Sequence, residues 1–599
     1  MFSARKVLEP VFQEQSRSVL WNAIVNNYAP DETAYLRELV PLAQSDEAEY
    51  RAVTETATRL IQKVRVQGDS IQMIDSLLQE YSLETQEGIL LMCLAEALMR
   101  IPDKHTADAL IHDKMSVADW QKHVGRSEST LVNASTWGLM LTGRVVKMDK
   151  RLDGSPSNIW KRLVKRSGEP VIRSAMYQAM AIMGRQFVLG RDIREALKNA
   201  REYRDRGYTY SFDMLGEAAM TREDAARYLE DYRDAIEAAG SDPCPHGHAA
   251  APSVSIKLSA LHPRYEVPQQ DRVMNELADT LVELLGVARR NGVSITIDAE
   301  EMDRLELSLR LFEKVFSSDV VRGWGGLGMA VQAYSKRALP VLCWLNKLAR
   351  EQGDEIPVRL VKGAYWDNEI KLCQQRGLDA YPVFTRKEAT DISYLACLRY
   401  LLSDYTRGAL YPQLASHNAH TVASVMAMAD SRDRPIEFQR LHGMGDALYN
   451  TLLDEFEYPV RIYAPVGAHK DLLPYLVRRL LENGANSSFV HRLIDAETPI
   501  DYLVQNPVQQ LQKHSTIPND RIPPPTRIFG SDRVNSGGVN LQAEADLYPL
   551  LERVGRWQEA FWVAGPIIHG QRRTVGGQQR IYAPHDQSRA VGDVFRANP

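Results

Sequence analysis

Two textures of apolar spacing divide the chain. Up to about residue 200, apolar positions recur every three or four residues, as in AVTETATRLIQKVR (52–65) and IQMIDSLLQEYSLETQEGILLMCLAEALMRI (71–101), with Pro102, Gly125 and Gly143 as punctuation. That period predicts helices. From about residue 205, short runs of strand composition alternate with longer amphipathic segments. The runs are YTYSFDML (208–215), SVSIKLSA (253–260), SITIDAEE (294–301), GLGMAVQAY (326–334), PVRLVKGAYW (357–366), YPQLASHN (411–418), IEFQRLHGM (436–444) and VRIYAPVG (460–467). Eight strands alternating with helices predict an α/β fold, one (β/α)8 TIM-type barrel preceded by an all-helical N-terminal region. A doubly wound open sheet also alternates, but it calls for a glycine-rich first turn, and no GxGxxG follows the first run. Asn291-Gly292 closes the segment after the second run with a helix-stop signal.

The ends of these runs carry the chemistry. Apolar starts give way to Asp213, Lys257, Asp298, Gln332, Arg359, His417, Gln439 and Tyr463. In a (β/α)8 barrel such positions converge on the catalytic face. Beyond the eighth run, DLLPYLVRRLLENGANSSFV (471–490) reads as an amphipathic helix. Arg478 and Glu482 share a face, and Arg479 lies about 100° round the helix. Paired guanidinium groups there suit a carboxylate clamp, or else a solvated face. The expected domains are a helical arm and helical domain (1–200), the barrel (201–500), a proline- and glycine-rich extended linker (501–545) and a final segment (546–599).

Composition narrows the classes. The 599 residues carry 72 basic and 77 acidic side chains, a net charge of −5 that argues against general nucleic-acid affinity. No uncharged apolar run reaches membrane-spanning length, and Glu9, Gln13 and Glu14 interrupt any secretory core at the N-terminus. Five dispersed cysteines without a CxxC indicate a reduced, cytoplasmic protein. Cys244, His246 and His248 crowd within five residues, which suits a surface loop better than a metal site.

The segments SIKLSALHPRY, IDAEEMDRLE, VQAYSKR, VRLVKGAYWDNEI, TRKEATDISYLAC, SHNAHT, FQRLHGMGDALY and RIYAPVGAHKDLLPYLVRRLLENGANSSFV closely resemble the flavin-dependent proline dehydrogenase module of bacterial proline utilization A (PutA) proteins. The resemblance covers about residues 60–545. It implies an FAD enzyme that oxidises L-proline to Δ1-pyrroline-5-carboxylate and passes electrons to a membrane quinone, the first step from proline to glutamate. It further implies that Lys257, Arg478 and Arg479 gather round the substrate carboxylate, and that Asp298, Tyr365, Leu441 and Tyr463 line the pocket. Glu217 looks like the acidic partner of Arg478 in a gate. For the flavin, Gln332 and Arg359 are implied at the ring. Asp298, Ala299, Val361, Gly363, Ala364, Tyr365 and Trp366 are implied along the cofactor, with Trp366 near the adenine. Thr385, Arg386, Lys387, Thr390, Ala415, His417, Asn418, Gln439, Tyr463, Arg479, Glu482, Ser488 and Phe489 complete its expected contacts.

Two features depart from parts of that family. No basic strand followed by two short helices opens the chain, so no DNA binding is expected. The segment from about residue 546 resembles only the start of an aldehyde dehydrogenase, and the last cysteine is Cys397, so that second activity is not expected here. Membrane contact through the quinone would be peripheral. Two rivals fit the residues alone: a barrel aldolase using Lys257 or Lys362 as a Schiff-base nucleophile, and a regulatory or assembly role for the helical region.

Overall fold

The computed structural model describes residues 2–66, 106, 187–242, 251–467, 493, 498–558 and 560–598. They form two compact units, Met1–Gly537 and Gly538–Pro599. At the centre of the first is a closed barrel of eight parallel strands in sequence order: β1 Thr209–Met214, β2 Ser253–Ile256, β3 Ser294–Ile297, β4 Leu327–Gln332, β5 Ile356–Val361, β6 Leu410–Ala415, β7 Glu437–Leu441 and β8 Val460–Val466. β8 pairs with β1 over six residues, Thr209 opposite Arg461 through Met214 opposite Val466, which closes the ring. All eight strands fall within the runs the sequence predicts or begin one residue before them. Every predicted run overshoots at the C-terminal end, by between one and five residues. After β2 the apolar residues continue, but Lys257 caps a short helix, Leu258–Leu261. After β5 the chain leaves the sheet at Lys362, because Gly363 has φ 140° and a Cβ there would meet the Tyr334 ring.

The connecting helices are amphipathic and cover the barrel. They are α4 Arg222–Ser241, α5 Ala278–Asn291, α6 Leu305–Phe316, α7 Ala338–Gln352, α8 Trp366–Arg376, α9 Lys387–Leu401, α10 Ala419–Asp430 and α11 Asp446–Phe456. α4 starts with a Thr221/Asp224 capping box, and α5 stops at left-handed Gly292 (φ 66°), as Asn-Gly predicts. Ahead of them lie three arm helices, α1 Arg17–Asn26, α2 Glu32–Ala43 and α3 Glu47–Val66. α3 buries Val53, Ala57, Leu60, Ile61 and Val64 on one stripe against α10 and α11. α2 packs on α9, and α1 on α7.

The predicted extended linker is corrected in part. Its first portion forms short helices, Ile500–Leu503 and Pro507–Gln512. Residues 517–535 run as a strap fastened to the barrel. The strap belongs to no sheet, so its backbone carbonyls lack ladder partners, and side chains of the loop between α8 and α9 donate to them. Arg386 reaches the Ile517 and Pro518 carbonyls at 3.0 and 3.1 Å, and Tyr381 reaches that of Pro523 at 2.7 Å. The second unit contains α12 Glu544–Gln558, a two-stranded sheet and a three-stranded sheet.

Candidate active site

Inward-facing positions of the barrel carry charge where barrels usually carry aliphatic side chains. Arg359 on β5 spans the interior. Its Nε donates to Gln439 Oε1 on β7 at 2.7 Å, Nη1 to Asp298 Oδ1 after β3 at 2.7 Å, and Nη2 to Ser211 Oγ on β1 at 3.0 Å. Its guanidinium also lies 5.0 Å from the centroid of the Tyr463 ring. The Tyr463 hydroxyl donates to Asp298 Oδ2 at 2.7 Å. Lys257, at the end of β2, pairs with Asp213 and approaches Asp298 Oδ2 at 3.5 Å. One pleat deeper, Glu437 accepts from Arg461 Nε and from Gln439 Nε2, both at 2.7 Å. The result is one chain of charge-assisted bonds from β8 through β7 and β5 to β3 and β2.

Burial alone would pull the Lys257 ammonium down, but Asp213, with Tyr463 and Asp298 adding, holds it well above the usual lysine range. Lys257 is therefore a fixed cation, which disfavours its use as a Schiff-base nucleophile. Burial raises the Tyr463 phenol well above 10, and Asp213 and Asp298 push it further. It serves as a hydrogen-bond donor.

Above this charged floor, the C-terminal rim is half-buried where the strands beneath are closed: Asp298 and Ala299, the Val361–Gly363 turn, Tyr365 and Trp366, Ala415 to Asn418, Leu441 and Tyr463, with Ala364 exposed. Gln332 is buried beside the turn. It donates to the Glu300 carbonyl at 2.9 Å and accepts from the Ala364 amide at 3.3 Å. His417 Nε2 accepts from the Leu441 amide at 3.3 Å, and Asn418 caps α10 through the Thr421 amide. Trp366 Nε1 donates to the Phe384 carbonyl at 2.7 Å.

The structure therefore brings together Lys257, Asp298, Arg359, Gln439 and Tyr463 as one cluster, with Gln332, Val361, Gly363, Ala364, Tyr365, Trp366, Ala415, His417, Asn418 and Leu441 on the surrounding rim. Glu217 lies half-buried after β1. Its expected partner Arg478, together with Arg479, Glu482, Ser488 and Phe489, lies outside the described residues, as do Cys244, His246 and His248. Lys387 and Thr390 share one face of α9. Thr385 and Arg386 are engaged by other parts of the chain, with Glu32 of α2 and Asn519 of the strap on Thr385 and the strap carbonyls on Arg386. Ser211, Glu437 and Arg461 are members of the network that the site reading did not include, while Asp213, one of the run-end positions, joins it through Lys257. Their signal is the inward period of two, since each stands two residues from a predicted site or network position on its own strand.

The comparisons follow this geometry. A family described as proline dehydrogenase matches residues 196–492, and one described as the proline utilization A proline dehydrogenase N-terminal domain matches residues 18–65. The bifunctional protein PutA of Escherichia coli (strain K12) is 45% identical over 606 residues, which cover 98% of this chain and 46% of the relative. The chain belongs to the proline utilization A family. It spans about half the length of the curated PutA relatives it matches. A crystal structure of a mutant Bradyrhizobium japonicum PutA has 44% identity and a TM-score of 0.70, covering 90% of this chain and 53% of that one. Proline dehydrogenase 1 of Bacillus subtilis (strain 168) is 28% identical over 313 residues, 51% of this chain and 88% of the relative. One finding runs against the expectation of no DNA binding: a family described as the DNA-binding domain of proline dehydrogenase matches residues 73–187. Of that stretch only Thr106 and Phe187 are among the described residues.

Proposed function

We propose that this chain oxidises L-proline to Δ1-pyrroline-5-carboxylate with FAD as cofactor, opening the route to glutamate, and that the electrons pass to a membrane quinone. The observation that carries the reading is the balanced charge cluster under the rim: Lys257 and Arg359 against Asp213 and Asp298, with Tyr463 as neutral donor. Proline is a zwitterion, and a site of fixed opposite charges orients it without net cost in charge. Asp298, between the Arg359 guanidinium and the Tyr463 hydroxyl, is the anion nearest the mouth and faces the substrate amine. Arg478 and Arg479 supply the cations for the carboxylate.

The residues present fit a flavin. The rim beside the Val361–Gly363 turn is half-buried, and Arg359, Lys387, His417 and Asn418 form the donor set that a ring and a pyrophosphate require. Arg359 would hold the ring end and Trp366 the adenine end. When bound, the flavin supplies the two-electron oxidation of the carbon–nitrogen bond. Arg359 contributes a preorganised positive charge, because three hydrogen bonds and the Tyr463 ring fix it before substrate arrives. Among the described residues no helix is long and apolar enough to cross a membrane, so we place any contact with a quinone-bearing membrane at the periphery.

The test is the absorbance spectrum of the purified chain, read again anaerobically after adding L-proline. Flavin bands that bleach support cofactor, substrate and reaction together. Bands that stay unchanged overturn the substrate assignment, and protein that takes up no FAD overturns the cofactor.

A further inference from the structure

The loop between α8 and α9 forms a platform whose fastenings come from distant parts of the chain. Within the barrel it is tied by the Phe384 amide to the Tyr334 carbonyl at 2.9 Å and by the Lys336 amide to the Pro382 carbonyl at 3.0 Å. From the arm, the Tyr35 ring lies parallel to Phe384 at 6.3 Å, and Glu32 Oε1 accepts from both the Thr385 amide (2.9 Å) and hydroxyl (3.0 Å). From the strap, the Asn519 amide donates to Thr385 Oγ1 at 2.8 Å and its side chain to the Thr385 carbonyl at 3.4 Å. Thr385 thus has its amide, its carbonyl and both roles of its hydroxyl engaged by arm and strap. Glu32 is only 5% exposed, and Lys336 at 3.8 Å is its cation. A buried carboxylate kept at this depth needs those donors, so the contact is built rather than incidental. The platform in turn holds Trp366 through the Phe384 carbonyl and leads directly into Lys387.

We propose that Glu32 of the arm is a positioning residue for the cofactor site, fixing the 382–386 platform from which Trp366 and Lys387 meet the adenine and phosphate end of FAD. This rests on the reading that a flavin lies along the Val361–Trp366 turn. Glu32 touches neither cofactor nor substrate in this role. It acts through Thr385 and Phe384, and the strap closes the same loop from the other side.

The test is the FAD dissociation constant of the full chain, followed by flavin fluorescence, for wild type, Glu32→Ala, Glu32→Gln and Glu49→Ala. Glu49→Ala severs another arm anchor, the ion pair to Arg399 at 2.8 Å, and leaves the platform untouched. Loss of two hydrogen bonds predicts that Glu32→Ala weakens FAD about tenfold. Glu32→Gln, which keeps an acceptor in place, should stay within about twofold of wild type. At saturating FAD, kcat and KM for proline should return to wild-type values in all variants. Unchanged FAD affinity in Glu32→Ala overturns the proposal. So does an equal loss in Glu32→Gln, or an equal loss in Glu49→Ala at matched thermal stability. A wild type that binds no FAD instead overturns the parent reading.

Discussion

The Tyr463 hydroxyl makes one directed bond, to Asp298, while its ring supports Arg359. Tyr463→Phe removes the first and keeps the second. We expect kcat/KM for proline to fall about tenfold with flavin content unchanged, since one charge-assisted bond is worth about 1.5 kcal/mol or more. An unchanged kcat/KM would remove Tyr463 from the reacting site. Glu437 and Arg461 make a different kind of pair, both almost fully buried one pleat below. Glu437→Gln leaves the Arg461 guanidinium underpaired, at a cost of about 3–5 kcal/mol in urea unfolding. The double variant Glu437→Leu with Arg461→Met should recover most of that, because it removes both buried charges together. A double variant as unstable as the single would show that the pair stabilises the barrel in its own right.

The strands were the most legible elements, because a parallel barrel buries both faces and writes each strand as a short apolar run between polar loops. The ends of the runs were legible as chemistry, which is how Lys257, Asp298, Arg359 and Tyr463 were found. Glu437 and Arg461 escaped because a charge inside an apolar run reads as an exception until its partner across the barrel is seen. The platform escaped for a similar reason: Glu32 and Thr385 stand in unrelated segments, and no local period joins them. α8 shows a further effect hidden at this scale. Glu369 on its first turn is buried and accepts from the Met302 amide at 2.7 Å. Burial, opposed by that bond and reinforced by Asp303 and Glu301, pushes its carboxyl up to about 8. A folded value above the unfolded one means a stabilising contribution that is complete at acidic pH and lost as pH rises through about 8. Glu369→Gln keeps an acceptor without the titration. Its melting temperature should therefore exceed that of wild type by more at pH 9 than at pH 6, and a gap that does not vary with pH would exclude Glu369 as the source.

Across the whole first unit, arm, barrel and strap meet at one loop, so the platform proposed for the cofactor also joins the parts that stabilise the fold. A ligand present at a hundred times its dissociation constant adds about 2.7 kcal/mol of stability. Calorimetry of wild type should thus show a melting temperature that climbs with added FAD, whereas Glu32→Ala at the same concentration should gain less. Equal gains would uncouple the arm from the cofactor. The fastenings also have an order in time. Glu32 and Thr385 are 353 residues apart, and Thr385 and Asn519 a further 134. A ribosome extending the chain by about 5–20 residues per second needs on the order of ten seconds to pass from the second fastening point to the third. During that interval the growing polypeptide already holds the platform from its first-made side while the last-made side is still missing. If the proposed platform role holds, cofactor loading waits for the strap to be made, and nascent chains halted before the strap should emerge poor in flavin.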